Sequence, residues 1–383
     1  ENSNLERVKQ WAQYLDGRKK IVIGESATKI CEGEPLAHPQ IKEILRFLRQ
    51  SFPETLLQLT TNGILLDEAM VEFLVELAPV ELYLSINSIT GEGRKQLMAD
   101  GKTSGLDLLK RLQKASLPYH GSLVAMPWLV GWEDVVQTVE ALDAHGAKTI
   151  RIFLPGFTKY APARLRFSPQ LWEELSLAVA DLKQKIATPI TLEPPYLKDL
   201  QGQVGGVMED SPAALAGLKA GDIIETIEGQ KVFSRVEAFY QLLEAQDPFL
   251  EIRRNGEKIK VVVKKAKGEA SGVVMDYDLS FREIEDVLRE IRRHKASCPL
   301  ILASTAGYSL LKEGLEKLAP SVGWEILAVP NQFFGGSIIA AGLLVVEDFL
   351  QVWHRLDDNL KKSCDLLLLP AKAFDPQGKD LTG

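Results

Sequence analysis

Short apolar runs alternate with amphipathic stretches through the first half of the chain. The pattern predicts helices over residues 5–15, 41–51, 67–77, 104–115, 132–145 and 169–186, and strands over 21–23, 55–59, 81–86, 121–126, 149–154 and 190–192. Strands separated by helices of this length indicate βαβ units and a parallel sheet. Such units close or half-close into a barrel, and functional residues of barrels lie at the carboxyl ends of the strands.

The pattern changes after Glu193-Pro194-Pro195. Residues 196–267 contain short strands, Gly-rich turns and one helix, and strand–helix alternation returns from residue 268. A length of 383 residues suits two or three domains. We therefore predict an α/β protein with a partial (β/α) barrel over 1–195, a small β-rich domain over 196–267 and a C-terminal α/β domain over 268–383.

Charge and cysteine content limit the classes of function. The formal net charge of −7 argues against a general nucleic-acid-binding protein. Cys31, Cys298 and Cys364 are odd in number and far apart, so no disulfide framework is predicted. This favours a reducing, cytoplasmic location. The longest apolar stretch near the end, residues 338–346, has about half the length that a membrane-spanning helix requires, so no membrane span is predicted.

Polar and glycine residues recur where the predicted strands end, and one edge of a parallel sheet would bring them together. They are Gly33, Glu34 and Pro35 after the first strand, Thr61 and Asn62 after the second, Ser85, Asn87 and Arg94 after the third, and Met126 after the fourth. Taken alone, each motif is also typical of an ordinary turn, because Asn and Gly tolerate left-handed geometry and Pro suits a first helical turn. The shared position at strand ends predicts a site.

In this order, the motifs over about residues 1–195 resemble the radical S-adenosylmethionine (SAM) superfamily. Gly33-Glu34-Pro35 is similar to the Gly-Gly-Glu-Pro motif that holds the SAM amino group, with Glu32 in place of the first Gly. Thr61 and Asn62 fall at the second-strand Thr-Asn-Gly motif.

The resemblance also gives roles to residues after the third and fourth strands. It implies that Ser85 and Asn87 lie near the ribose and methionine moiety, and that Arg94 lies near the SAM carboxylate. It further implies that Met126, with the two residues before it, contacts adenine.

The implied activity is generation of a 5′-deoxyadenosyl radical from SAM at a [4Fe–4S] cluster, with a reductant and an unidentified substrate. The cluster of this family needs three cysteines in Cys-x-x-x-Cys-x-x-Cys spacing, and the sequence has no such motif. Either a cluster-bearing N-terminal segment has been removed, or the chain is a degenerate homologue. The absent start methionine favours the first interpretation, and the chain alone is predicted to be inactive in that reaction.

The middle segment contains closely spaced Gly, Pro and Ala motifs. Ser211-Pro212-Ala213-Ala214, Ala216-Gly217-Leu218 and Gly221-Asp222-Ile223-Ile224 resemble a bacterial PDZ domain, with a groove helix over 236–243. PDZ grooves bind extended C-terminal peptides by strand addition. The terminal carboxylate would be received before Val204 or at Gly205-Gly206. Two alternatives stay open: a domain used as an internal spacer, and a non-catalytic module that binds a peptide or protein C-terminus on a degenerate barrel.

The last segment resembles an uncharacterised domain that accompanies PDZ and radical SAM segments in some proteins of anaerobes and cyanobacteria. Residues 331–335, 341–344 and 366–370 carry this resemblance. Residues 334–337 precede a predicted apolar helix, where they would bind an anion or where Ser337 would act only as an N-cap. Asp276 and Asp278 alternate, which suits either two metal ligands on one strand face or a strand-end turn.

Overall fold

A computed structural model describes residues 4–24, 33–320 and 322–383. Its internal contacts divide the chain into two units, Glu1–Phe153 with Val179–Ile190, and Leu154–Ala178 with Thr191–Gly383. The boundaries near 196 and 268 stay predictions. Within the described ranges, no helix is both long and apolar enough to cross a bilayer.

Helices and strands alternate through the first part of the chain. In order they are α1 (Leu5–Ala12), β1 (Ile21–Ile23), α2 (Ile41–Ser51), β2 (Leu57–Thr61), α3 (Glu68–Glu76), β3 (Val80–Ser85), α4 (Gly91–Met98), α5 (Gly105–Lys114), β4 (Tyr119–Val124), α6 (Pro127–Val130), α7 (Trp132–Ala144), β5 (Ile150–Phe153), α8 (Leu171–Lys185) and β6 (Ile190–Glu193). The strands form one sheet in the order β1-β2-β3-β4-β5-β6, and β1 to β5 pair in parallel. The predicted α/β fold with a partial barrel is confirmed.

The two faces of this sheet differ in polarity. One face carries fully buried leucines such as Leu57, Leu82 and Leu84, and Gly121 lies on that face so close to Leu142 of α7 that a Cβ would be 2.7 Å from its side chain. The register places Gln58 beside Glu81, Tyr83 beside His120, and Ser85 beside Ser122 on the other face. Parallel sheets that are covered by apolar layers on both sides are apolar on both faces, and the polar side chains of this second face distinguish it from that arrangement.

The second unit contains a small antiparallel domain. Its elements are β7 (Gly202–Gln203), β8 (Gly206–Val207), α9 (Pro212–Leu215), β9 (Ile223–Ile227), β10 (Gln230–Lys231), α10 (Arg235–Glu244), β11 (Phe249–Arg254), β12 (Glu257–Val262) and β13 (Val273–Val274). The order β10-β9-β11-β12 forms one sheet, with β7 also on β9. β13 pairs antiparallel with β8, so residues beyond 268 complete this domain. The predicted groove helix over 236–243 is confirmed as α10, and the short helix α9 after Ser211 adds to it.

The remaining elements build a three-stranded parallel sheet between two apolar layers. They are α11 (Phe281–Arg293), β14 (Pro299–Ser304), α12 (Tyr308–Leu318), β15 (Glu325–Val329), α13 (Val346–Arg355), α14 (Asp358–Ser363) and β16 (Leu366–Leu368), with strand order β15-β14-β16. Ile284 and Leu315 pack on one face of β14, and Leu344 and Phe349 on the other. The predicted apolar helix after residue 337 is wrong, because residues 338–345 contain only a 3₁₀ turn at Ala341–Leu343.

Candidate functional site at the carboxyl edge of the sheet

Glu34 fastens the Gly-Glu-Pro turn to the end of β2. Its Oε1 accepts hydrogen bonds from the Thr61 hydroxyl at 2.6 Å and from the Leu36 N–H at 3.2 Å, and its Oε2 accepts from the Asn62 N–H at 2.8 Å. Pro35 starts a 3₁₀ turn, Pro35–Ala37, directly after it. The structure therefore brings the first two sequence motifs together through one carboxylate. Gly33 is exposed beside them, whereas Cys31 and Glu32 lie outside the described residues.

The end of β2 is fixed by side-chain-to-backbone bonds. The buried Thr61 hydroxyl accepts from the Gly63 N–H at 3.1 Å, and the Asn62 Oδ1 accepts from the Ile64 N–H at 3.0 Å. Gly63 has φ +77°, and a Cβ there would lie 2.8 Å or less from side-chain carbons of neighbouring leucines. A side chain at 63 would thus displace the turn that presents Asn62.

The ends of β3 and β4 are joined through Asn87. This residue is left-handed, with φ 55°, and its Oδ1 accepts from the Val124 N–H at 2.8 Å. The Ser85 hydroxyl lies 3.3 Å from the Ser122 hydroxyl one strand away. Met126 is half-buried, and its carbonyl accepts from the Leu129 N–H where α6 begins. Ser85, Asn87 and Met126 therefore lie at adjoining strand ends.

Arg94 differs from its expected place near a ligand carboxylate. Its side chain is fully buried, and its Nε and Nη2 donate to Asp100 Oδ2 at 3.0 and 2.8 Å. Nη1 donates to the Ile86 carbonyl at 3.2 Å, and Nη2 lies 3.5 Å from the Asn62 carbonyl. Arg94 thus braces the chain behind the strand ends. Asp100 was missed by sequence reasoning; its only signal is its place directly after α4.

Burial disfavours the charged form of Asp100, but the hydrogen bonds to its carboxylate have the larger combined effect on its pKa. Burial would raise its pKa, whereas the Arg94 hydrogen bond and the N–H groups of Thr103 and Lys102 hold the pKa at about 2. The pair is therefore fully ionised near neutral pH.

A second polar group, also missed from the sequence, lies on the polar face of the sheet. His120 Nε2 is 3.4 Å from a Glu81 carboxylate oxygen, and Nδ1 is 2.6 Å from the Thr149 hydroxyl. The imidazole stacks on Tyr83 with ring centroids 4.7 Å apart. Burial would raise the pKa of Glu81, but the hydrogen bond with His120 and the nearby positive charges, including Lys148, lower it.

The predicted carboxylate-receiving N–H groups of the middle segment are already bonded. The Val204 N–H donates to the Asp222 carbonyl at 2.8 Å, and the Gly205 N–H donates to the Val274 carbonyl at 2.9 Å. The Gly205 N–H therefore cannot receive a peptide carboxylate in this conformation, whereas the alternatives before Val204 and at Gly206 stay predictions.

Asp278 belongs to an ion pair, so the metal-ligand interpretation of Asp276 and Asp278 is not supported. The buried Asp278 carboxylate accepts from the backbone N–H groups of Arg235 and Val236 at 2.9 and 3.0 Å, and from the Arg235 guanidinium at 3.3 Å. Among the described residues, no group of three or more His, Cys, Asp or Glu side chains could hold a metal ion.

Ser337 is neither an anion ligand nor a helix N-cap. Its hydroxyl donates to the Pro155 carbonyl at 2.7 Å and accepts from the Phe157 N–H at 2.9 Å. Gly336 has φ +65°, and a Cβ there would lie 2.1 Å from the Phe157 carbonyl oxygen. Residues 335–337 therefore bind the 155–158 loop, which explains the Gly-Gly-Ser sequence.

The described thiols do not suit an iron–sulfur cluster. Such clusters are held by several Cys thiolates, and here the described cysteines are Cys298 and Cys364, at the starts of neighbouring strands β14 and β16. The residues that the structure describes thus supply no cluster site.

Comparison with family models assigns two parts of the chain. Residues 2–161 match the radical SAM superfamily. The chain carries a radical SAM domain. Residues 203–254 match the PDZ domain, so both of these sequence resemblances are confirmed. The resemblance of the last segment stays a prediction. No curated protein is significantly similar to the chain.

Solved structures resemble part of the chain at low identity. SuiB of Streptococcus suis bound to S-adenosylmethionine is 15% identical, with a TM-score of 0.37, over 48% of this chain and 41% of that chain. A domain of the pyruvate-formate lyase-activating enzyme from Bacteroides vulgatus is 13% identical, with a TM-score of 0.34, over 45% and 99%.

The methyltransferase TsrM from Kitasatospora setae, with cobalamin and a [4Fe–4S] cluster bound, is 15% identical, with a TM-score of 0.29, over 48% and 32%. The chain spans about two fifths of the length of SuiB.

Proposed function

We propose that the strand ends around Glu34, Asn62 and Asn87 bind S-adenosylmethionine, and that the chain works in a radical SAM enzyme whose substrate is unidentified. The observation that carries this is the carboxylate of Glu34, which ties the Gly-Glu-Pro turn to the end of β2. The family match over residues 2–161 supports it.

In this proposal, the residues of this chain bind and orient SAM. Glu34 brings a carboxylate to the sheet edge, where a ligand ammonium group would find a charged acceptor. Asn87 joins the ends of β3 and β4, which sets the width of the adjoining edge. Reductive cleavage to a 5′-deoxyadenosyl radical requires a [4Fe–4S] cluster, and since the described residues do not fit one, no redox step is assigned to them.

The proposal is tested by calorimetric titration of the full chain with SAM. Glu34→Ala removes the carboxylate and should weaken SAM binding about tenfold, as expected for loss of one or two charge-assisted bonds. Glu43→Ala, an exposed glutamate in the first turn of α2, is the matched control and should leave binding unchanged. Absence of SAM binding to the wild-type chain, or equal affinity of the Glu34 and Glu43 variants, would overturn the proposal.

The PDZ domain supports a second candidate function, binding of a peptide or protein C-terminus. Helix α10 exposes the rings of Phe239 and Tyr240, which are 40% and 57% accessible. Enrichment of one C-terminal sequence from a peptide library, lost in Phe239→Ala, would support this function. Failure to enrich any sequence would leave the domain as a spacer.

A further inference from the structure

Asp134 lies nine-tenths buried in the first turn of α7, with one carboxylate oxygen satisfied and one not. Its Oδ2 accepts from the hydroxyls of Ser88 at 2.9 Å and Thr90 at 2.7 Å. Its Oδ1 is buried and has no hydrogen-bond partner in the described part of the chain. The three residues are called the Asp134 cluster below. Since buried carboxylate oxygens are normally hydrogen-bonded, the exception requires an explanation.

The Asp134 cluster holds the loop that carries Asn87. In the same loop, the Ile89 N–H donates to the Thr138 hydroxyl at 3.2 Å. This hydroxyl in turn donates to the Asp134 carbonyl at 2.8 Å. Gly93 closes the other side, since a Cβ there would be 2.2 Å from the Ser88 hydroxyl oxygen and 2.8 Å from Asp134 Oδ2. The loop is thus fixed from α7 on one side and α4 on the other.

Two unfavourable features therefore occur within a few residues in space. Asn87 is left-handed, a conformation that asparagine tolerates better than most residues with a Cβ, and Asp134 Oδ1 is buried without a partner among the described residues. Folding stability alone gives no reason for the buried carboxylate oxygen without a partner. Such features persist where the surrounding structure imposes them, and they concentrate at functional sites.

We infer that Asp134 is a positioning residue for the SAM site, an inference that rests on the proposed function. Through the hydroxyls of Ser88 and Thr90 it holds the loop in the geometry in which Asn87 bonds the Val124 N–H. Asp134 itself need not touch the ligand.

The test compares SAM affinity with thermal stability in the full chain. Asp134→Leu removes the acceptor of both hydroxyls and should weaken SAM binding about tenfold. Its melting temperature should fall by only a few degrees, because removal of the unpartnered oxygen partly offsets the loss of the two hydroxyl bonds. Asp134→Asn keeps one acceptor oxygen and should retain most of the affinity. Glu133→Gln, on the neighbouring exposed position, is the matched control and should bind like the wild type.

A double-mutant cycle identifies the route of the effect. Ser88→Ala should weaken SAM binding. The loss of affinity in the double variant with Asp134→Leu should be smaller than the sum of the two single losses, because both changes remove the same bond. Normal SAM affinity in Asp134→Leu, or fully additive losses, would overturn the inference. If SAM affinity and melting temperature both fall in Asp134→Leu, and Asp134→Asn restores neither of them, Asp134 has only a structural role. Failure of the wild type to bind SAM would instead defeat the proposed function.

Discussion

Two buried arginine–aspartate pairs lie in different regions of the molecule and differ in their electrostatics. Arg94 and Asp100 lie behind the strand ends of the radical SAM domain, with side chains 0% and 5% exposed. Arg235 and Asp278 lie at the start of the PDZ helix α10, with side chains 2% and 0% exposed. The pKa of Asp100 is lowered to about 2, whereas that of Asp278 is raised.

The difference comes from the balance of burial against hydrogen bonds. For Asp278, burial is the dominant effect and raises the pKa despite the bonds from Arg235 and Val236. For Asp100, burial is opposed by two Arg94 nitrogens and by backbone N–H groups. An ion pair by itself thus does not settle the charge state of its acid; the balance between burial and all the donors around the carboxylate does.

The two pairs also hold different structures. Arg94 contacts the carbonyls of Ile86 and Asn62, and so fixes strand ends that carry candidate ligands. Arg235 bonds Asp199 and Gln203 as well as Asp278, and so joins the segments before and after the PDZ core to α10.

Removal of each arginine should have the largest effect. Arg94→Met leaves an ionised carboxylate buried, and should lower the free energy of unfolding at neutral pH by about 3–5 kcal/mol. Arg235→Met should cost less, because Asp278 with its raised pKa can take up a proton. Urea unfolding at pH 7 measures both.

Arg289→Met serves as the control for this pair of variants, since Arg289 is exposed on α11 and its loss should change stability by less than about 0.5 kcal/mol. Equal losses in Arg94→Met and Arg235→Met would contradict the distinction between the two acids.

Periodicity predicted most of the barrel elements but not the short ones between them. Helix α2 at Ile41–Ser51 agrees with the prediction residue for residue, because its apolar positions repeat with helical spacing. Helix α4 was missed because it contains Gly91 and Gly93, which are poor helix formers. Its start is instead set by the Thr90 cap and by the space that Gly93 leaves for the Asp134 cluster.

The candidate site was predictable in outline, because strand ends meet at one edge of a parallel sheet. The sequence could not show which polar side chains are bonded to other residues of the chain and are therefore not free to bind a ligand. Arg94 looks like a free cation in the sequence, and only the fold brings Asp100 against it. Asp134 lies 46 residues from Ser88, and no local pattern relates a helix-start aspartate to a distant hydroxyl.

The pH dependence of stability should have opposite signs at the two acids. The pKa of Asp100 falls from 3.8 to about 2 on folding, so its stabilisation is complete above pH 3.8 and is lost as the pH falls towards 2. The pH-dependent part of the difference between wild type and Asp100→Asn should therefore be about 2 kcal/mol.

For Asp278 the folded pKa is raised, so its contribution is complete below pH 3.8 and declines as the pH rises through the folded pKa. The stability difference between wild type and Asp278→Asn should therefore shrink with rising pH. Urea unfolding over a pH series measures both slopes; two slopes of the same sign would refute the comparison.

The smallest expected effect is the loss of stability when the N-cap hydroxyl of one helix in each region is removed. The Thr90 hydroxyl caps α4 through the Gly93 N–H at 3.0 Å and also donates to Asp134, whereas the Ser234 hydroxyl caps α10 through the Glu237 N–H at 3.2 Å. Ser234→Ala should cost about 1 kcal/mol of unfolding free energy, and Thr90→Ala slightly more, because it also loses the bond to a carboxylate.

Titration of the Thr90→Ala and Ser234→Ala variants with SAM measures the effect of each cap on binding. Thr90→Ala should weaken SAM binding, because the loop carrying Asn87 loses one of its two hydroxyl anchors to Asp134. Ser234→Ala should leave SAM binding unchanged, because its helix belongs to the PDZ domain. If both variants lose stability but neither changes SAM affinity, the buried polar groups of the two regions serve folding alike, and the loop of Asn87 has no special part in binding.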